Sequence, residues 1–289
     1  MESGLALKLL GAPKLEAGGR RVCLSPAAMT LCAYLALSPA QGRPRTVAAA
    51  QLFSGCPEPA ARRRLNTAIW RLRCEIRGQT EVDLVCTSQD HTVRLSPAAH
   101  LTIDASVFEH TLEPLLAKNV ADLTEHDAVR LGGALSMHHG HLLESCDDDW
   151  VLVAREHIEN LYLAALDHLV QFHGAHGDIS LVSRYGELAL ALEPLREDIH
   201  RHLMAAYGAA DRMDLVERQF ERCRVLLVEE LGTDPMPETL GLYSRLTHGD
   251  QGYSPTVAAL ASELERARRD ITRLAATVDR ALEALRNLQ

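Results

Sequence analysis

Residues 58–77, with the sequence EPAARRRLNTAIWRLRCEIR, combine an apolar helix face with a basic one. The apolar residues are spaced by four, three and four positions, as on one buried side of an α-helix: Leu65, Ile69, Leu72 and Ile76. On the opposite side, at about 100° per residue, lie Arg63, Thr67, Trp70, Arg71 and Cys74, with Arg64 at the edge. The segment is therefore predicted to bury one side and to present arginine on the other, where it suits phosphates and guanine edges.

The charge of the chain is divided unevenly. The 289 residues carry a net charge of −9. Residues 1–105 hold 13 Lys and Arg against 8 Asp and Glu, a net of +5, whereas residues 106–289 hold 17 against 31, a net of −14. A basic first third beside an acidic remainder indicates that only the first third meets a polyanion.

The residues around the basic helix predict a small mixed domain. Turn residues, helix caps and a polar tip between two extended stretches give its elements. In chain order they are strands at 5–10 and 20–24, a helix from Ser25-Pro26 to about Ser38, a second helix capped by Thr46, the basic helix, and a hairpin of Val82–Thr87 and Thr92–Leu95. This order is typical of a winged helix-turn-helix of the response-regulator type, whose third helix enters a DNA major groove and whose hairpin is the wing.

From about residue 106 the pattern is helical throughout. A period of about 34 residues, which is typical of tetratricopeptide (TPR) repeats, aligns Leu169 with Leu203 and Gly174 with Gly208. Residues 257–289 keep a heptad spacing that predicts a coiled coil; its core includes Leu260, Leu264, Ile271, Leu274, Val278 and Leu285. This stripe is expected to bury itself against another copy of the chain, with folding back onto its own repeats as the alternative, and a dimer is favoured without excluding higher oligomers.

Three phrases in the middle of the chain carry a family resemblance. They are GHLLESCDDDWVLVARE at 140–156, PLREDIHRHLMAAY at 194–207 and EELGTDPMPETLGLYSRL at 229–246. They resemble the bacterial transcriptional activator domain, and Trp150 and Arg155 stand where that family has a tryptophan and an arginine. Together with the winged helix, residues 5–246 resemble the SARP family of regulators. The resemblance implies a mainly helical, cytoplasmic bacterial activator that binds direct promoter repeats in double-stranded DNA and recruits RNA polymerase.

Two departures from the family pattern affect these expectations. Residues 209–212, AADR, replace the usual glycine turn, so that corner is expected to be reshaped. The C-terminal coiled coil would form a two-fold symmetric dimer, which favours inverted rather than direct DNA repeats. This does not apply if the linker at 248–256 is flexible enough to free the DNA-binding domains from the symmetry of the coiled coil. The predicted organisation is thus a DNA-binding domain at 1–105, an activator domain at 106–247, the linker, and an oligomerisation helix at 257–289.

The candidate DNA-binding residues lie on the basic helix and around it. Groove-facing candidates are Arg63, Arg64, Thr67 and Arg71. Surrounding candidates are Arg45, Thr46 and Arg94, which is expected beside the hairpin tip and within reach of the minor groove; His91 and Gln89 are weaker candidates. Each arginine is expected either to read guanine or to clamp phosphate, the alternative being a solvated helix face.

Thr46 is expected to cap its helix and to meet a phosphate, and Arg45 to meet phosphate or polymerase. For Trp70, packing against the hairpin is favoured over sugar-phosphate contact. Arg62 and Arg73 are expected to meet backbone phosphates or acidic neighbours.

Other chemistries receive little support from the sequence. The histidines at 138, 139 and 141 and the HxxH at 173–176 lack the partners of a zinc site, so no metal is expected. Asp147–Asp149 are expected to form an acidic helix start before Trp150. Neither a catalytic constellation, nor a cofactor motif, nor a membrane span is expected. The alternative function is a protein-binding scaffold of TPR-like repeats, whose winged helix docks protein rather than DNA.

Overall fold

The computed structural model describes residues 4–77, 83–88 and 90–248, and over these residues the chain is mainly helical. It divides into two compact units, residues 1–168 and 169–289, which are described separately. The predicted coiled coil at 257–289, nearly all of the linker at 248–256, Val82 and Gln89 lie outside the described residues. Among the helices that are described, none has the length and apolarity needed to cross a membrane.

Unit 1 contains the predicted order of strands, three helices and a hairpin. Its first elements are β1 (Leu5–Lys8), β2 (Lys14–Ala17), β3 (Arg20–Val22), α1 (Pro26–Ala36), β4 (Arg43–Pro44), α2 (Arg45–Leu52) and α3 (Glu58–Glu75). They are followed by β5 (Val85–Thr87), β6 (Thr92–Leu95), β7 (Leu101–Ile103), α4 (Asp104–Leu116), α5 (Glu125–Leu135) and α6 (Asp149–Ala175), whose last turns belong to unit 2.

The N-terminal sheet has four strands in the order β3-β2-β1-β7. Strand β1 runs antiparallel to β2 and parallel to β7, so Leu7 lies between Leu15 and Ile103. The sequence predicted only two strands here. Strand β2 was missed because its four residues contain a single large apolar side chain, although Leu15 and Ala17 are both buried. Strand β7 is shorter still, with three residues, and its Leu101 pairs with Leu5 of β1, 96 positions earlier.

Helix α3 buries the face that its spacing predicts. Leu65, Ile69, Leu72 and Ile76 are each at most 4% exposed. Helices α1 and α2 both pack against α3, and β6 is the central strand of a second sheet in the order β4-β6-β5. Burying each large aliphatic side chain contributes about 1.5–3 kcal/mol. The apolar stripe therefore fixes which side of α3 remains in solvent.

Residues 9–11, which follow strand β1, are hydrogen-bonded to the start of α4 and to the loop before α6. The Asp104 carboxylate, at the start of α4, accepts hydrogen bonds from the amides of Leu9 (2.7 Å) and Leu10 (3.1 Å). The Gly11 amide donates to the His141 carbonyl at 3.1 Å, and the Leu143 amide donates to the Leu9 carbonyl at 2.9 Å. Within unit 1, the sheet and the loop before α6 are thus connected through their backbones.

Trp150 and Arg155, which match the family's tryptophan and arginine in the first phrase, both have partners in unit 1. The Arg155 guanidinium donates to the carbonyls of Leu142 (3.0 Å), Leu143 (3.0 Å) and Cys146 (2.8 Å), and so holds the loop before α6. The Trp150 ring meets the Tyr34 ring of α1 edge-on, with centroids 5.2 Å apart. A tryptophan and an arginine at these positions therefore fasten the start of α6 to the rest of the unit.

Unit 2 is a set of packed helices. After the end of α6 come α7 (Ile179–Leu192), α8 (Glu197–Ala209), α9 (Met213–Leu231) and α10 (Pro237–His248). Helix α8 packs against α7, α9 and α10. The end of α8 follows the end of α6, and the start of α9 follows the start of α7, by the same period that aligns Leu169 with Leu203 in the sequence.

The turn between α8 and α9 is not reshaped, contrary to expectation. Asp211 has φ of 58°, and Gly177, which lies one such period earlier, has φ of 72°. Both residues therefore occupy the left-handed region that glycine adopts without strain and that Asp tolerates better than most residues. The family's glycine turn is replaced by an aspartate turn of the same hand.

The second and third family phrases meet in a polar cluster of unit 2. The Glu197 carboxylate accepts hydrogen bonds from the Thr239 hydroxyl (2.6 Å) and the Met236 amide (2.8 Å). The same hydroxyl accepts a hydrogen bond from Arg201 at 3.0 Å. Glu197 is 9% exposed and Thr239 is fully buried. These bonds satisfy groups whose burial without partners would be costly.

Candidate nucleic-acid interface

The outer face of α3 is exposed and basic. All four groove-facing candidates are exposed: Arg63, Arg64, Thr67 and Arg71. In the part of the chain that the structure describes, none of these arginines forms an ion pair. The Thr67 hydroxyl donates to the Arg63 carbonyl at 3.0 Å, so its proton is used within the helix and its oxygen remains an acceptor.

The two acidic residues of α3 do not neutralise this face. Glu58 accepts from Arg62 at 2.6 Å, one turn further along the helix. Glu75 accepts from both the amide (2.8 Å) and the hydroxyl (3.2 Å) of Ser25, which precedes α1. The carboxylates are thus occupied at the two ends of α3, and the arginines between them keep their full charge toward solvent.

Arg62 and Arg73 have the acidic neighbours that were one of their two predicted alternatives. Arg62 pairs with Glu58, and Arg73 Nε lies 2.7 Å from the Asp83 carboxylate. Arg73 also donates to the Val85 carbonyl at 3.0 Å, which joins α3 to the first strand of the hairpin.

Arg45 lies at the meeting point of α2, α3 and the hairpin. Its guanidinium donates to Asn66 Oδ1 of α3 at 2.5 Å and to Thr87 Oγ1 of β5 at 3.3 Å. Its amide donates to the His91 carbonyl at 2.9 Å. Asn66 and Thr87 were not among the predicted site residues. Asn66 lies one helical turn beyond Arg63 on an exposed part of α3, and that spacing was the available signal.

The prediction that Thr46 caps α2 is wrong. The helix begins at Arg45, the N-cap is Pro44 with φ −54° and ψ 138°, and no side chain caps the helix. The ring of Pro44 fixes φ at the N-cap, and the bond from the Arg45 amide to the His91 carbonyl anchors the helix start, so a threonine cap is not needed. Thr46 lies exposed in the first turn, where backbone amides point outward.

The hairpin places its two candidates differently. His91 lies exposed at the turn with φ of 55°. Arg94 was expected beside the tip, but it lies in the middle strand β6, opposite Cys86, and is half-buried. Gly42, with φ of 88°, lies under it: a Cβ there would be only 2.8 Å from Arg94 Cβ. Arg94 is therefore part of the sheet rather than of the tip.

Trp70 is exposed, which contradicts the expectation that it packs against the hairpin. Its side chain is 64% exposed on the outer face of α3. The backbone of the helix directs Trp70 to the same side as Arg63 and Thr67, away from the buried stripe. A large apolar surface therefore lies within the basic face.

His138, His141 and Asp148, which lie outside this face, each have a partner within unit 1. The ring of His138 packs against that of Tyr162 with centroids 4.2 Å apart, and burial together with the neighbouring His141 holds the pKa of His138 below its ordinary value. His141 meets the Glu159 carboxylate at 2.6 Å. Asp148 accepts from Trp150 Nε1 at 3.1 Å at the start of α6. Over the described ranges, no three His, Cys, Asp or Glu side chains are grouped to hold a metal ion.

Comparisons with known proteins agree with this architecture. The family described as "Bacterial transcriptional activator domain" matches residues 103–247, half of the chain. No curated protein sequence matches the chain. Among solved structures, Mycobacterium tuberculosis EmbR in complex with a low affinity phosphopeptide is similar, with a TM-score of 0.69 and 22% identity over 92% of this chain and 71% of that chain. At this identity the likeness is one of fold.

Proposed function

This chain belongs to the SARP family of bacterial transcriptional activators, which are regulators and not enzymes, and we propose that it binds promoter DNA through α3. In this proposal residues 1–105 are a winged helix-turn-helix, α3 is its recognition helix and the β5-β6 hairpin is its wing. If the chain binds promoter DNA, it acts in the bacterial cytoplasm, where that DNA lies.

The observation that carries the proposal is the set of arginines on α3 without acidic partners. Arg63, Arg64 and Arg71 project from a helix whose other side is completely buried. A guanidinium that is not already paired can donate in a fork to guanine or to a phosphate oxygen. Because residues 106–289 carry a net charge of −14, these side chains are the natural place for a polyanion to bind.

The residues around α3 have supporting roles in this proposal. Thr46, in the exposed first turn of α2, offers a hydroxyl and nearby backbone amides to a phosphate. Arg45 orients α3 against the hairpin through Asn66 and Thr87. His91 approaches the sugar-phosphate backbone from the hairpin turn. Arg94 contacts DNA only where its side chain extends past the edge of the sheet.

We further propose that residues 106–247 form the activator domain and that unit 2 is a TPR-like surface for RNA polymerase. The repeat is supported by the helix ends and starts of unit 2, which recur with the period found in the sequence. Leu188 and Leu192, one turn apart on α7, are 39% and 43% exposed and offer apolar surface to a protein partner.

The C-terminal coiled coil at 257–289 is proposed to hold two copies together, with residues 248–256 as its linker. Its heptad spacing is the support for this proposal. We expect deletion of 257–289 to lower the molar mass measured by light scattering to that of a single chain. An unchanged mass would contradict self-association and favour folding back. Half-site orientation in selected DNA then distinguishes direct from inverted repeats.

The DNA-binding proposal is tested by selecting duplexes from a random pool with the full chain and measuring affinity by fluorescence anisotropy. Arg63→Ala and Arg71→Ala are each expected to weaken binding by about tenfold, the loss of one good guanidinium contact. Affinity is also expected to fall steeply with salt, because phosphate contacts release counterions.

Arg62→Ala is the matched control, since Arg62 is an exposed arginine of the same helix that is already paired with Glu58. We expect its effect to be clearly smaller than that of Arg63→Ala. A pool without enriched sequences, together with equal binding by all three variants, would contradict the proposal and favour the protein-binding scaffold.

A further inference from the structure

A cavity in unit 1 lies next to the DNA-binding elements but is separate from the outer face of α3. Its volume is about 550 Å³, and it lies between β3, α1 and residues 143–150, which are the end of the loop before α6 and the first two residues of that helix. Pockets of 300–1,000 Å³ are, as a rough range, those that hold small organic molecules. Its size therefore fits a ligand rather than a few water molecules.

The interior of this cavity is mainly apolar. Helix α1 contributes Pro26, Met29 and Ala33, and the opposite wall contributes Leu143 and the Trp150 ring. Trp150 is held in place by its edge-on contact with Tyr34. A preformed apolar surface of this kind suits an aliphatic or aromatic body.

Three charged side chains line the cavity, Arg21, Asp147 and Asp148, and all three are exposed to solvent. Arg21 belongs to β3 and Asp147 to the loop before α6. Neither forms an ion pair or a side-chain hydrogen bond with another residue in the described ranges, although both line the same cavity. The neighbouring Asp148, by contrast, already accepts from Trp150 Nε1 and the Cys146 thiol. One cation and one anion therefore remain available to an occupant.

We propose that this cavity binds a small zwitterion with an apolar body, of the chemistry of a short apolar peptide. The ligand carboxylate pairs with Arg21, the ligand ammonium pairs with Asp147, and the apolar body lies along α1 and Trp150. Charge-assisted hydrogen bonds at both ends fix the orientation, and the apolar wall supplies contact area.

The position of the cavity connects it to α3. The ligand would lie against α1, and Ser25, the residue before α1, donates to Glu75 at the end of α3. Occupancy is therefore expected to change DNA affinity, and this regulatory consequence rests on the proposed function. Ligand binding itself is measured without DNA, so that its failure and the failure of DNA binding are distinguishable.

The test is calorimetry of the full chain with the dipeptide leucyl-phenylalanine, its N-acetylated form and its C-terminal amide. The free dipeptide is expected to bind, and each blocked form to bind about tenfold more weakly, because each lacks one charge-assisted contact. Arg21→Gln is expected to weaken the free dipeptide but not the amide, and Asp147→Asn to weaken the free dipeptide but not the acetylated form.

Matched controls are Arg20→Gln and Asp149→Asn, which remove the same charges at exposed neighbouring positions that do not line the cavity. These variants are expected to bind the dipeptide like the unaltered chain. The proposal is overturned if no form gives heat, if a blocked form binds as tightly as the free dipeptide, or if the controls lose as much affinity as the cavity variants.

Discussion

The guanidinium of Arg45 donates a 2.5 Å hydrogen bond to the side-chain oxygen of Asn66, which ties the first residue of α2 to the exposed side of α3. The same group reaches Thr87 at 3.3 Å, on the first strand of the hairpin. Three separate elements thus converge on one side chain. Arg45 is therefore expected to act mainly by positioning α3 and the hairpin, and only secondarily as a phosphate contact.

The salt dependence of DNA binding distinguishes these two roles. Arg63→Ala is expected to reduce the slope of log affinity against log salt by about one, as the loss of one phosphate or base-edge cation does. Arg45→Ala is expected to lower affinity while changing that slope less than Arg63→Ala does, because its guanidinium already donates to Asn66 and Thr87. A slope reduced equally in both variants would assign Arg45 to direct phosphate contact.

The exposed Trp70 yields a second prediction. Its side chain is 64% exposed, so Trp70→Ala is expected to leave the free energy of unfolding within about 0.5 kcal/mol of that of the unaltered chain. If DNA covers this apolar surface, the same variant loses about tenfold in affinity for selected duplexes. Urea unfolding and anisotropy on the same samples measure both quantities. A large loss of stability would show that Trp70 packs within the protein instead.

The sequence predicted α3 well because its determinants are local. A spacing of four, three and four apolar residues within one helix specifies both the buried side and the basic side, and the structure confirms that division. The pairing of Arg45 with Asn66 was not predictable in this way, because the two residues are 21 positions apart and meet only after α2 packs on α3.

The strands of the N-terminal sheet show the same limit. Strand β7 is only three residues long, and Leu101 of β7 pairs with Leu5 of β1, 96 positions earlier, so no periodicity in either segment predicts the pairing. The start of α2 is a further example. Thr46 has the chemistry of a cap, but Pro44 and the bond from the Arg45 amide to His91 determine where the helix begins.

The buried hydroxyl of Thr239 yields a prediction about stability. Thr239→Val keeps the shape of the side chain but removes the donor to Glu197 and the acceptor for Arg201. The expected loss is about 1–3 kcal/mol, because a buried carboxylate keeps fewer partners. Urea unfolding followed by circular dichroism measures it. Thr247→Val is the control, since among the described residues that hydroxyl bonds only to Tyr243, Ser244 and His248 of the same helix. An equal loss there would contradict the role of the cluster.

Asp127 makes the stability of α5 depend on pH. Lys118 at 2.9 Å, with the amide and hydroxyl of Thr124, lowers the pKa of Asp127 from 3.8 to about 2. Since the folded pKa is depressed, the stabilisation is complete above pH 3.8 and is lost as the pH falls toward 2. The urea midpoints of the unaltered chain and of Asp127→Asn are therefore expected to converge over that window. Glu125→Gln controls for removing a charge from the same first turn, and a constant difference from neutral pH to pH 2 would contradict the prediction.

The left-handed turn at Asp211 yields a prediction on the backbone alone. Asp211 has φ of 58°, so Asp211→Ala is expected to destabilise unit 2 by about 1 kcal/mol, whereas Asp211→Gly is expected to be neutral or stabilising. Gly177→Ala is the matched test at the corresponding turn: an added Cβ would meet no atom within 4 Å, so only the backbone conformation opposes it. Urea unfolding of the three variants compares the two turns. If the alanine and glycine variants at 211 were equally stable, side-chain interactions of Asp211, and not its left-handed backbone, would determine the turn.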